Sequence, residues 1–385
     1  MEIRELRRVT PDRGVRAEAD LVWEDADLAT RTLWFETEAA CALDYSAIPD
    51  GFKLACMDPS AWPGARRVRQ EAPVCHVMRD NAVAVARLLH QAHPHATVPE
   101  LQVDRGFAPG TPRRPSRTGM FLSGGVDALS VLRRNRLDYP LDHPEAIRDA
   151  YLGFGLYGFD VTEDGPVPER LAAWGQLRAR MAGLAERQSL TLVPFLTNVR
   201  TFAPDYLSWS RALFTPLTAA CVHGFADRVS SVRLGSDGSS LEPGDVSESQ
   251  TLSQCLSTAA LELRLDLLSM DRLARIGLLA DWDEGRALMQ PCHWVEVPTP
   301  GQINCGRCEK CVRTMLGLVV HGRLADASAF DADDLTPDVI EEIRIPSRNK
   351  LEHLTLFVRP QLRAGRRDLA QAIRERARRF DRKGR

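Results

Sequence analysis

Two short segments carry residue types whose spacing could do chemistry. The first is Phe121–Ser130, FLSGGVDALS, in which an apolar run ends, Ser123 precedes Gly124 and Gly125, and a helical pattern begins at Val126. Glycines, lacking Cβ atoms, can turn so that successive backbone N–H groups aim at one place. The start of a helix adds unpaired N–H groups and a positive dipole end. Together these make an anion site suited to phosphate, with Ser123 as a further donor. Asp127 would repel a bare phosphate unless Mg²⁺ stood between them, so the combination points to a nucleoside triphosphate with magnesium. Leu122, Ser123, Gly124, Gly125, Val126 and Asp127 are the candidate nucleotide-binding residues. The loop matches neither GxxxxGK[ST] nor GxGxxG.

The second segment is Cys305-Gly306-Arg307-Cys308-Glu309-Lys310-Cys311, with twelve residues intervening between Cys292 and Cys305. A C-x₂-C-x₂-C run brings three thiolates within reach of one cation, and Cys292 can supply the fourth. Four thiolates closing a tetrahedron describe structural Zn²⁺; an iron–sulfur cluster also accepts four thiolates, and His293 competes with Cys292 as fourth ligand. A closed site has no open position for water, so its expected role is structural. Cys41, Cys56, Cys75, Cys221 and Cys255 read as small core residues.

Composition narrows the classes. With 385 residues, 44% apolar and 26% charged, the chain has material for a core and a length that suggests two domains. A net charge of −2 argues against a nucleic-acid binder along the whole chain. The balance is uneven: Leu362–Arg385 holds ten basic and three acidic residues, a net of +7, leaving −9 for the rest. That tail could grip phosphates or form a solvated helix. No run of eighteen apolar residues occurs, so no membrane span is expected. The first residues show no apolar signal core, so the expected location is cytoplasmic, where metal ligation explains clustered cysteines better than disulfides.

The elements that must position these segments follow from periodicity. Strands are expected at Leu21–Trp23, Arg31–Glu38, Gly119–Leu122, Ala150–Phe159, Leu190–Leu196 and Arg228–Leu234. Helices are expected at Asn81–Gln91, Val126–Arg134, Val167–Arg187, Ser210–Phe225, Asp271–Leu279 and Leu369–Phe380. Strand–helix alternation after residue 116 reads as α/β, a parallel sheet with helices on both faces. The Pro-rich segment Phe107–Thr118 reads as a linker. The expected organisation is an accessory α+β domain over 1–115, the sheet domain with its cysteine site over 116–324, and an extension over 325–385 ending in a basic helix. Ligands of such sheets bind beyond the carboxyl ends of strands. Ser123, Asp160, Asn198 and Gly235 fall there, with Arg200 and Asp237 close by in sequence. Arg272 and Arg275 could contact phosphate but read more simply as solvated-face charges. Residues 331–342, DADDLTPDVIEE, suggest no function.

SGGVDA resembles the SGGxDS loop of the PP-loop ATP pyrophosphatases, with Ala128 where that family usually has Ser. The resemblance implies that fold (adenine nucleotide alpha-hydrolase-like), cleavage of ATP between the α- and β-phosphates, and adenylation of a substrate oxygen. Adding the distal Cys and CxxCxxC, and Arg313 after the last cysteine, the chain resembles 7-cyano-7-deazaguanine synthases over about Gly119–Leu318. YGFDV and NCGRCEKCVRTM make it similar to divergent synthase-like proteins of bacterial anti-phage defence. The resemblance implies ATP, Mg²⁺ and Zn²⁺, a 7-carboxy-7-deazaguanine-like acid, and amide formation with ammonia or a protein amine. On it, Ser123, Asp127 and Asp160 are the expected catalytic residues, with Gly235 added to the nucleotide set. Glu2 stands where fused glutaminases of this superfamily carry Cys, so the amine is expected from elsewhere. Alternatives on the same fold are a tRNA-modifying enzyme and a binding scaffold with a degenerate loop.

Overall fold

The computed structural model describes all residues except 12–13, 25, 58–64, 93–96, 109–115, 157–159, 163–164, 204, 206–207, 237–249, 293–301 and 384–385. The chain is α/β. It forms two compact units. The first comprises Met1–Phe121, Asp138–Ser236 and the described part of Ser240–Asp266; the second comprises mainly Leu122–Leu137 and Leu267–Arg385. These units cut the chain at other places than residues 115 and 324.

Ten strands of the first unit build one sheet: β1 Glu2–Val9, β2 Val15–Val22, β3 Arg31–Thr37, β4 Arg67–Gln70, β5 Glu100–Val103, β6 Thr118–Phe121, β7 Ile147–Phe154, β8 Thr191–Thr197, β9 Ser231–Gly235 and β10 Glu262–Asp266. Their order is β10-β9-β6-β7-β8-β3-β2-β1-β4-β5. β6 through β10 are mutually parallel, in register with Ser231 opposite Thr118 and Gly235 opposite Asp266. β3 then adds antiparallel to β8, and β2 and β1 continue antiparallel as a meander. The strands of the first 115 residues therefore extend the same sheet instead of folding on their own. Their apolar faces need the same helices to cover them.

Alternation of side chains sorts the strands onto two cores. Leu33, Phe35, Tyr151, Val193 and Phe195 face the larger core, shared with helices Ile48–Ala55 and Phe214–Val222. Trp34 and Phe154 face the opposite side, where Leu171 and Trp174 of helix Pro168–Arg187 pack. Pro168 occupies the first helical position, where its missing N–H costs nothing. The helix expected over Ser210–Phe225 is broken into a π turn, Trp209–Leu213, an α-helix, Phe214–Val222, and a 3₁₀ turn, His223–Phe225. Pro216 has no N–H for the carbonyl four residues earlier, and the preceding turn is widened. Cys41, Cys56, Cys75 and Cys221 lie in the larger core, as their isolated positions suggest, and Cys255 packs at its margin.

Lys53 is fully buried, its amine donating to the carbonyls of Val68 (3.0 Å) and Gln102 (3.4 Å). Burial pulls the ammonium down to about 7, against the weaker pull of Cys56 and Asp104. Unfolded chains bind this proton up to a higher pH than folded ones, so the ammonium's cost is greatest below pH 7 and fades toward pH 10.5. Lys53→Met is expected to raise stability by about 2 kcal/mol at pH 6 and by less at pH 10, read from urea unfolding. An equal effect at both values would refute the burial of a charge.

Candidate nucleotide loop and metal centre

Strand order reverses between β6 and β9. From β6 the chain proceeds to β7 and β8 on one side, whereas β9 and β10 lie on the other. Ligands of open α/β sheets bind beyond the carboxyl ends of the strands at such a reversal. Phe121 ends β6, and the half-buried Gly235 ends β9. The chain runs from Phe121 straight into Leu122, so the glycine loop is the connection leaving the reversal point.

The loop turns at Gly124. Gly124 has φ +74°, a left-handed conformation that side chains rarely adopt. The Gly125 N–H donates to Ser123 Oγ at 3.3 Å, and the Gln290 N–H donates to the Gly124 carbonyl at 2.7 Å. Helix Val126–Asp138 begins with the Leu129 N–H donating to the Gly125 carbonyl. Its first N–H groups are not consumed by the helix itself. Leu122, Gly124 and Val126 are buried, while Ser123, Gly125 and Asp127 remain partly open. Ala128 is buried. Ser130 does not replace its missing hydroxyl, because Ser130 Oγ donates inward to the Arg275 carbonyl at 3.3 Å.

Asp127 departs from the expected arrangement. Its Oδ1 accepts from Arg275 Nη1 at 2.8 Å, and its Oδ2 lies 3.1 Å from Arg272 Nη2. Arg275 is completely buried and also donates to the Leu267 carbonyl at 2.7 Å. The solvated-face reading of Arg275 is therefore wrong: spacing placed it on a helix but could not show which face was covered. With both carboxylate oxygens engaged by guanidinium groups, Asp127 does not fit a directly held Mg²⁺ in this arrangement. Its contacts neutralise and orient two arginines beside the loop.

The remaining strand-end candidates lie in the first unit. Asp160 is buried, its Oδ1 accepting from Arg170 at 3.0 and 3.1 Å and its Oδ2 accepting from the Gly155 N–H at 3.3 Å. Asn198 bridges to β3, accepting from the Trp34 N–H and donating to the Thr32 carbonyl. Arg200 stacks over Trp209, 4.9 Å from the ring centroid. These contacts give Asp160, Asn198 and Arg200 structural work. Asp237, His293 and Tyr157–Phe159 lie outside the described residues, as does most of the Pro-rich segment.

The four cysteines converge. Cys292, Cys305, Cys308 and Cys311 place their sulfurs within 4.8 Å of one another, and all are free thiols. The separations are 3.4 Å for Cys308–Cys311, 3.8 Å for Cys305–Cys311 and 4.0 Å for Cys292–Cys308. Zinc–thiolate bonds of about 2.3 Å set tetrahedral corners about 3.8 Å apart, so the four could hold one zinc ion. A multi-iron cluster, with each thiolate on its own iron, would spread the sulfurs farther. The Cys308 N–H donates to Cys305 Sγ at 3.3 Å. Gly306, φ +67°, makes that knuckle possible, since an added Cβ would strike the Asp334 carboxylate. Buried Asn304 ties the segment down, donating to the carbonyls of Met289 and Ala329, both at 2.9 Å.

The last cysteines open helix Glu309–Val320, capped by Cys308. Arg313 on this helix is buried and paired with Glu309. Lys310, which the motif reading passed over, sits between Cys308 and Cys311. Burial, then Lys350, Arg313 and Arg272, push its amine down to about 8, with Glu309 opposing them. Its signal in the sequence was rarity, for only four of fifty basic residues are lysines.

The basic terminal helix, Arg367–Lys383, buries Leu369, Ala370, Ala372 and Ile373. Arg379 pairs with Glu341, and Arg348 pairs with Asp381 at 2.7 Å. The acidic stretch thus supplies helix Pro337–Glu342, capped by Thr336, as a partner for the basic tail. Among the described residues no helix is long and apolar enough to cross a membrane. Neither family models nor curated proteins nor solved structures yield a match to this chain.

Proposed function

We propose that this protein is an ATP-dependent ligase that adenylates a carboxylate and passes the acyl group to an amine. The observation that carries the reading is the Ser123-Gly124-Gly125 bend. Gly124 is left-handed, and the bend follows a parallel strand at the reversal of the sheet and opens a helix whose first N–H groups have no partner within the helix itself. The resemblance of SGGVDA to PP-loop pyrophosphatases, with the four-thiol site, makes a 7-carboxy-7-deazaguanine-like acid the proposed substrate. The amine is ammonia or a protein amine.

The chemistry asks little of acid–base groups. A carboxylate oxygen attacks the α-phosphorus, the bond to the bridging oxygen breaks, and pyrophosphate leaves. An amine then attacks the acyl carbon, AMP leaves, and the amine surrenders a proton to solvent. The loop N–H groups and Ser123 would hold the departing pyrophosphate, and the guanidinium beside Asp127 would meet its charge. No step is routed through a metal on Asp127. The thiolate site is proposed to carry zinc as a closed structural centre that fixes helix Glu309–Val320.

Incubation with labelled ATP, candidate acids and ammonia should yield AMP and pyrophosphate. ADP as product would exclude adenylation. A second reading, a nucleotide-binding scaffold without turnover, is favoured by buried Ala128, which removes one donor from the loop. Restoring it with Ala128→Ser separates the two. Turnover present before the change supports the ligase, and binding of ATP without turnover in both forms supports the scaffold.

A further inference from the structure

The terminal helix Arg367–Lys383 turns one face inward and another outward. Leu369, Ala370, Ala372 and Ile373 are buried, whereas Arg367, Gln371, Arg374, Arg378 and Arg382 are exposed. The exposed five recur every three or four residues, which sets them in one line along the helix. At the usual rise per residue the line is about 22 Å long. The acids of the helix do not balance it. Asp368 pairs with Arg366 and Asp381 with Arg348, both at 2.7 Å, and Glu375 pairs with Arg378. Among the described residues Arg367, Arg374 and Arg382 have no ion pair. Arg374 and Arg378, then Arg378 and Arg382, are like charges four residues apart, a spacing that destabilises a helix. Arg367 also stands at the positive N-terminal end. A face that only meets water gains nothing from this arrangement, because interleaved acids and bases are solvated equally well. A line of phosphates would relieve the repulsion.

We propose that this arginine row is a docking surface for the phosphate backbone of duplex DNA. One strand of a duplex presents about six phosphates over the length of the row, and contacts to them need only cations in line. Single strands and RNA are gripped instead through stacked bases or 2′-hydroxyl groups. The row holds no aromatic side chain, and Phe380 of the same helix lies under Arg348, 5.4 Å from ring centroid to guanidinium. A bilayer would take the apolar face of an amphipathic helix, and here that face is buried. The chain outside Leu362–Arg385 nets −9 and repels the same polyanion, which confines the contact to this helix. The proposal needs no nucleotide at the glycine bend and is independent of the ligase reading.

Fluorescence anisotropy of a labelled DNA duplex, titrated with the full chain over a series of salt concentrations, tests it. Affinity should fall with salt with a logarithmic slope of about 3 to 4, one unit for each arginine engaged. Replacing Arg367, Arg374 and Arg382 together by Gln should remove about 3 units of slope and weaken binding about tenfold or more at low salt. A thermal melt followed by circular dichroism checks that the helix persists; should the triple variant melt early, each single Arg→Gln variant should lose about one unit of slope. The same loss of charge at exposed Arg79, Arg87 and Arg105 should leave the affinity within about twofold of wild type, since none of them lies on this helix. Wild-type protein that does not bind the duplex at low salt, or a folded triple variant with an unchanged slope, overturns the proposal. So does an equal loss in the charge-matched control, or tighter binding to a duplex RNA, a single strand or phosphatidylserine vesicles than to the DNA duplex.

Discussion

Removing the proposed zinc from the four-thiol site should unfold much of the second unit. The cysteines gather side chains from two stretches twelve residues apart, and Asn304 hangs the intervening segment on backbone carbonyls of Met289 and Ala329. Without a cation, four thiols within 4.8 Å of one another lose the interaction that draws them together. Structural zinc contributes about 10–16 kcal/mol of apparent binding free energy in small zinc domains at neutral pH, and binding is linked to folding. Elemental analysis is expected to find one zinc per chain. Chelation, or Cys311→Ser at the buried ligand, is expected to lower the melting temperature sharply and abolish a single cooperative calorimetric transition. Acidification should act in the same direction, since protons compete with the metal for thiolates. Metal-free protein that melts unchanged would refute the centre.

Asp127→Ala carries the second large effect, and the structure changes its expected nature. From the sequence it tests a magnesium ligand, with turnover lost and the fold intact. In the structure it removes the partner of a completely buried guanidinium, Arg275, which keeps only the Leu267 carbonyl among the contacts described above. Removing one member of a buried pair is costly because the other charge stays buried. We expect about 3 kcal/mol of lost stability, measured by urea unfolding. Asp127→Asn keeps an oxygen for Arg275 and should lose less. Replacing both residues together, Asp127→Ala with Arg275→Met, should recover part of the loss, since an apolar pair leaves no buried charge. A single-variant loss below about 1 kcal/mol would show that Arg275 is not held by Asp127.

Much of the architecture was legible because it rests on local repetition. Short apolar runs located β3, β6, β7 and β8, and helical spacing with Pro168 at the start located Pro168–Arg187. Short strands such as β4 and β5, four residues each, were not readable, for their pattern is too brief to distinguish from a turn. Nor could the sequence show that β1–β5 join the sheet of β6–β10, because strand pairing depends on which apolar faces share a cover.

The site divides along the same line. Glycine conformation and cysteine spacing are properties of a few consecutive residues, so the bend at Gly124 and the thiol quartet could be recognised from the chain alone. The fate of a charge is different. Asp127 meets Arg275 across 148 residues, and Asp160 meets Arg170 on a helix whose facing only packing determines. An isolated carboxylate in a sequence looks equally suited to a metal, a substrate or a guanidinium. Desolvation makes the choice, because burying Arg275 is tolerable only beside an anion, and burial exists only once the chain has folded.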